Sequence, residues 1–166
     1  INTDVPVTAL SLATVLAAAG YFNSPRRGNL LMLAIVFGLT QITKFSAVYL
    51  WPIIFGLGLI KIWLSRGQYR WRQWWAMVGM VTAVSGLIIW AAYGFEWRRF
   101  LPAEITPPKI AAITKHINFP VPAASYLKGL SDVLRHNKVG HPSYLNGQTS
   151  DGGWWFYFPE AMALKT

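Results

Sequence analysis

Three ionisable residues stand where apolar stretches begin or break, or where a turn-rich segment opens. Asp4 precedes a run almost free of charge, Lys44 interrupts the apolar stretch from Leu30 to Leu64, and His141 opens the polar segment HPSYLNGQTSDGG. A carboxylate such as Asp4 can position a sugar hydroxyl or hold a divalent metal ion through its oxygens. It can equally cap a helix, with Pro6 suited to the first turn. An ammonium at membrane depth, as at Lys44, can bind the phosphate of a lipid carrier; the other reading is a lysine snorkelling to headgroups. His141 can ligate a metal or hydrogen-bond a phosphate, or be an ordinary loop residue, since no HxxxH or HExxH spacing is present. Tyr144 and the block Trp154–Tyr157 can stack on a sugar, or form an interfacial aromatic belt. Asn146 and Gly147 allow a tight turn between them. His116 and His136 make weaker cases, and Asp151 and Glu160 form no carboxylate pair by spacing. No Gly-rich phosphate cradle, Ser/His/Asp set or redox motif is present.

The elements that must position these residues are membrane-like. The chain has 166 residues, 54% hydrophobic and 13% charged, with nine Trp and a mean hydropathy of +0.34. Soluble domains carry roughly twice that share of charge. The net charge of +9 does not by itself indicate nucleic acid, because membrane proteins retain Lys and Arg in cytoplasmic loops. Arg70-Trp71-Arg72 interleaves basic and aromatic residues as some nucleic-acid binders do. Between two apolar spans it reads better as a loop anchor, and no nucleic-acid partner is expected. The absence of Cys excludes disulfides and thiolate metal sites. A start at Ile1, without a basic n-region or cleavage site, suggests an internal piece of a longer protein.

Val7 to Phe22, counted from Val5, is long enough to cross most of a hydrocarbon core of about 30 Å. Leu30 to Leu64 is either one kinked helix or a hairpin of two. A hairpin places Arg26 and Arg27 on the same face as Arg66, Arg70 and Arg72, as the positive-inside bias expects. The turn therefore falls near Lys44 to Ala47, on the non-cytoplasmic side, although the first arm reaches only about 21 Å. Trp74 to Tyr93 returns to the outer face. Ser125 to Asn137 carries apolar residues at helical spacing and predicts an amphipathic helix, weakened by Gly129 and suited to lie along a membrane surface.

The expected architecture is an all-α polytopic membrane protein with about four transmembrane helices and the start of a fifth near Trp155. Residues 1–95 form the transmembrane region. Residues 96–153 form a long extracytoplasmic loop carrying the short amphipathic helix, and 154–166 begin a further span. The 141–153 segment reads either as an ordered loop lying on the bilayer or as an ordinary turn before an aromatic core strand.

Several stretches together resemble bacterial members of the dolichyl-phosphate-mannose–protein mannosyltransferase family, in the GT-C superfamily. They are TDVP (Thr3 to Pro6), GLTQITKFSA (Gly38 to Ala47), PVPAASYLKGL (Pro120 to Leu130) and HN (His136, Asn137). GHPSYLNG (Gly140 to Gly147) and GWWFYFPEAMALKT (Gly153 to Thr166) complete the set. They span nearly the whole chain in the family's order, and the tail is the most specific.

The resemblance implies an integral membrane glycosyltransferase, in a bacterial inner (plasma) membrane with its long loop on the periplasmic or extracellular side. It would take a sugar from a polyprenyl-phosphate carrier and pass it to an acceptor hydroxyl of a protein, lipid or glycan. Asp4 would be the second acidic site residue, near the donor phosphate or a divalent metal, with His141 as a further candidate ligand. Lys44 would lie near the lipid phosphate. His141, Tyr144 and Gly147 would belong to the loop covering the active site. The family's principal catalytic acid lies on an outer loop that would precede Ile1, so no catalytic acid is expected within these residues, and this piece alone should be inactive. Two rivals stand beside this reading: a non-enzymatic lipid-handling or transport subunit, and an inactive glycosyltransferase-like scaffold.

Overall fold

The computed structural model describes residues 4–65, 67, 69–99, 120–139, 143–145, 147–150 and 154–165. The chain divides into two compact units, residues 1–99 with 119–127, and residues 100–118 with 128–166.

The first unit is built on four helices. They are α1 (Asp4–Asn23), α2 (Arg27–Thr43), α3 (Leu50–Leu64) and α4 (Trp71–Ala92), with a 3-10 turn, Phe45–Tyr49, joining α2 to α3. Contacts along their lengths fix the directions. Lys44 meets Asp4, Thr40 meets Thr14, and Asn29 reaches the Gly20 and Ser24 carbonyls, so α1 and α2 run antiparallel. Trp74 donates to the Phe55 carbonyl at 3.0 Å, and the bare Cα of Gly58 faces Trp74 and Met77. Near its start α3 meets Gln41 of α2 through Trp51, and just past its end Ser65 holds Tyr69 at the entrance to α4, so α3 runs antiparallel to α2 and α4. Gly38 gives α2 a close approach to Ser85 and Ile88 of α4.

Arg26 and Arg27 therefore share one end of the bundle with Arg70 and Arg72. The joint is specific: the Tyr21 hydroxyl donates to the Gln73 carbonyl at 2.8 Å, and the buried Tyr69 ring packs edge-on against Tyr21 and Phe22.

Asp4–Asn23, Phe45–Leu64 and Trp71–Ala92 are long and apolar enough to cross a membrane, while Arg27–Thr43 is apolar but shorter. Their core is mostly apolar, with Leu33, Phe37, Ile54, Met77 and Val81 fully buried, and Thr14, Thr40, Gln41 and Ser85 are buried among them. Their outer faces are apolar too: Leu12, Leu16, Met32, Ile53, Ile60 and Leu87 are exposed. Aliphatic chains on the outer face suit helices that pack within an apolar solvent.

Beyond α4, the chain turns through Gly94 and Phe95, both at positive φ. A short antiparallel pair follows, β1 (Trp97–Arg99) with β2 (Pro120–Pro122), then α5 (Ala124–Val139). The Glu96 carboxylate accepts from the Ser125 backbone N–H (3.0 Å) and hydroxyl (2.9 Å), which caps the start of α5. Among the described residues, the second unit contains the hairpin β3 (Ser143–Leu145) with β4 (Gln148–Ser150), and α6 (Tyr157–Lys165).

Candidate functional site

The site is built from two helix ends. An α-helix carries partial positive charge at its N-terminus and partial negative charge at its C-terminus. The antiparallel α1–α2 pair sets the start of α1 beside the end of α2. Asp4 stands at the first and Lys44 just past the second, and Lys44 Nζ donates to Asp4 Oδ1 at 2.6 Å. The Lys44 side chain is 44% exposed and the Asp4 side chain 70%. Pairs this exposed contribute about 0.2–1 kcal/mol, too little to explain the local build as a stability device.

That build is elaborate. Lys44 leaves the helix with φ −158° and ψ 139°, and the 3-10 turn follows at once. The break is clasped by Gln41, which is fully buried. Its amide donates to the Ala47 carbonyl at 3.0 Å and its carbonyl accepts from Trp51 Nε1 at 3.2 Å. Trp51 is fixed in turn by an edge-on contact with Phe37. Below, the Thr14 and Thr40 hydroxyls meet at 3.0 Å and both reach the Leu10 carbonyl. Beside Lys44, Phe45 packs on Tyr126 of α5, which also touches Tyr93. Burial, and secondarily Tyr93, push the Tyr126 phenol above its ordinary range.

A lateral groove of about 470 Å³ begins at this corner. Val7, Thr8, Ser11 and Leu12 of α1 form one wall, and Ser46, Tyr49 and Leu50 line the other. Val7 and Thr8 follow Asp4 by three and four positions and so share its helix face. Its lining joins apolar side chains to the hydroxyls of Thr8, Ser11, Ser46 and Tyr49, and Asp4 and Lys44 lie outside it.

Of the residues singled out in the sequence, Asp4 and Lys44 are brought together. Tyr144 and Gly147 belong to the second unit and are described there: Tyr144 is an exposed β3 residue paired with Thr149, and Gly147 takes φ +83° between the strands. His141 lies outside the described residues. Of the two metal candidates, Asp4 accepts from the Lys44 ammonium through Oδ1, and His141 lies outside the described residues; among the described residues no three of His, Cys, Asp or Glu gather. Gln41 was not singled out in the sequence. The signal that could have found it is a lone amide one turn before a charged residue inside an apolar run.

No protein-family model matches the chain, and no curated protein or solved structure is significantly similar to it.

Proposed function

We propose that this chain is part of an integral membrane glycosyltransferase and that the α1–α2 corner receives the polyprenyl-phosphate end of its donor. The observation that carries this is the Lys44–Asp4 pair, whose near neighbours in sequence, Val7, Thr8 and Ser46, line a largely apolar groove. The resemblance of the Asp4-Val5-Pro6 and Thr43-Lys44 stretches to the mannosyltransferase family supplies the reaction class. The apolar outer faces of the long helices support a bilayer setting, with four crossings, a fifth beginning at α6, and residues 96–153 on the extracytoplasmic side.

The isoprenoid chain lies along the groove and its phosphate reaches the Lys44 ammonium, which has three donors where Asp4 Oδ1 takes one. The acceptor hydroxyl attacks the anomeric carbon, the bond to the phosphate oxygen breaks, and charge builds on the leaving phosphate. Lys44 stabilises that charge while Asp4 orients the ammonium. The acceptor proton passes to a carboxylate base, which the resemblance places before Ile1. The resemblance assigns His141, Tyr144 and Gly147 to the loop that covers the active site.

The test is sugar transfer from a polyprenyl-phosphate donor by the protein in its native membranes. Lys44→Ala should lower turnover by about 10²–10³-fold, the usual loss of an oxyanion-stabilising group, with insertion unchanged by protease protection. Undiminished turnover removes Lys44 from the site. The groove also suits a lipid-handling protein without transferase activity. Retention of a polyprenyl phosphate with no release of sugar would establish that second reading.

A further inference from the structure

Between Val5 and Phe95 the sequence contains no Asp or Glu, yet it carries Arg26, Arg27, Lys44, Lys61, Arg66, Arg70 and Arg72. Lys44 has its carboxylate partner at Asp4. Arg26, Arg27, Arg70 and Arg72 are exposed at the opposite end. They stand at the N-termini of α2 and α4, where neither first turn holds an acidic residue. Positive charge at a helix N-terminus opposes the helix dipole, so nothing in the bundle itself favours this placement. The counter-charge has to come from outside.

The arginines are held in fixed register. Tyr69 is buried against Tyr21 and Phe22, and the Ser65 hydroxyl accepts its backbone N–H at 3.1 Å. The Gln73 side chain accepts the Arg70 N–H at 2.6 Å, and Tyr21 holds the Gln73 carbonyl. These contacts lock the α3–α4 connection, with Arg70 and Arg72, to the α1–α2 connection, with Arg26 and Arg27. Flanking them, Trp63, Trp71 and Trp75 are 83%, 58% and 62% exposed. Exposed indoles at this level suit the boundary between acyl chains and headgroups. A soluble anion would not need them.

We infer that the end of the bundle formed by Arg26, Arg27, Arg70 and Arg72 is a docking site for the headgroups of anionic phospholipids. The guanidinium forks take the phosphate oxygens and the tryptophans seat beside the glycerol region. This inference rests on the bilayer setting proposed above, but not on the transferase reading.

The experiment uses the full chain reconstituted into phosphatidylcholine bilayers with and without phosphatidylglycerol. Carbonate-resistant flotation first establishes insertion, and native mass spectrometry then counts retained lipid. Phosphatidylglycerol should be enriched around the protein over its bulk share, and added salt should weaken the enrichment. Each arginine near an anionic surface is worth about fivefold. The double variant Arg26→Gln/Arg27→Gln should therefore lower the preference by about 25-fold. Arg26→Lys/Arg27→Lys should restore most of it, and Arg98→Gln, elsewhere in the chain, should leave it unchanged. Insertion without phosphatidylglycerol preference, or equal loss with Arg98→Gln, overturns the inference and leaves the bilayer setting intact. Inorganic phosphate displacing the lipid at low millimolar concentration overturns the headgroup assignment. Failure to insert overturns the bilayer setting and this inference together.

Discussion

The close approach of α2 to α4 at Gly38 makes the most direct test of the bundle. A methyl at the Cβ position would lie 2.6 Å from Ile88 Cδ1 and 3.1 Å from Ser85 Cα. The tip of Ile88 can rotate away. The Ser85 Cα is backbone, and clearing it requires the two helices to separate by a few tenths of an ångström. Adding a methyl to a packed interface costs about 1–3 kcal/mol. Alanine is favoured over glycine in an isolated helix by about 1 kcal/mol. That gain largely cancels in a bilayer, where helices stay formed when they dissociate, because the unpaired backbone has no water. Gly38→Ala should thus shift the packing equilibrium by roughly five- to 150-fold. Gly79→Ala and Gly86→Ala, on α4 with nothing within 4 Å of the added carbon, should change it little. Reversible unfolding in mixed micelles, followed by tryptophan fluorescence, reads all three. If Gly38→Ala unfolds together with Gly86→Ala, the two helices do not meet at Gly38 and the placement of Lys44 by α2 loses its frame.

Two further perturbations address the corner itself. Gln41→Leu keeps the volume but leaves Trp51 Nε1 without its acceptor and removes one of the donors to the Ala47 carbonyl. A stranded buried donor costs about 1–3 kcal/mol, and transfer activity should fall more than global stability because the break at Lys44 is loosened. Equal losses of both, measured side by side, would show that Gln41 only supports the core. Tyr126, whose phenol is pushed upward by burial, stabilises the folded state fully below about pH 10, its ordinary value. Above that pH the unfolded phenol ionises first, and the contribution fades as pH approaches the folded value. Tyr126→Phe should remove that alkaline component of unfolding while keeping the ring contact with Phe45. An unchanged alkaline transition in Tyr126→Phe assigns it to another group.

Much of the bundle was legible because apolar length and arginine placement are one-dimensional signals. The break expected near Lys44 to Ala47 appears as the extended Lys44 and the 3-10 turn after it. The amphipathic segment expected over Ser125 to Asn137 is α5. The β1–β2 pair was not foreseen, because Pro120 and Pro122 each lack a donor and normally argue against a strand. Both strands are edges, so those missing donors interrupt no inner ladder. The β3–β4 hairpin was announced by Asn146-Gly147 between two residues of matching register, the strongest short hairpin signal, yet the aromatic block after it drew the reading toward a membrane loop. Gln41 and Glu96 act through contacts with residues 6 to 29 positions away. Spacing along one helix cannot reveal such partners.

The partition of charge between the two ends bears on how the proposed site would discriminate. At the arginine end the bundle sequence supplies no Asp or Glu to compete with a phosphate. At the other end, Lys44 is already paired, so an ordinary phosphodiester gains only what it offers beyond Asp4. A polyprenyl-phosphate sugar enters as such a diester with a single negative charge and must win its place through the groove. When the glycosidic bond breaks, the phosphate becomes a monoester and its charge approaches two. The attraction to Lys44 therefore grows along the reaction coordinate rather than before it. An ammonium held back by a neighbouring carboxylate binds the departing phosphate better than the intact donor, and this difference is what lowers a barrier.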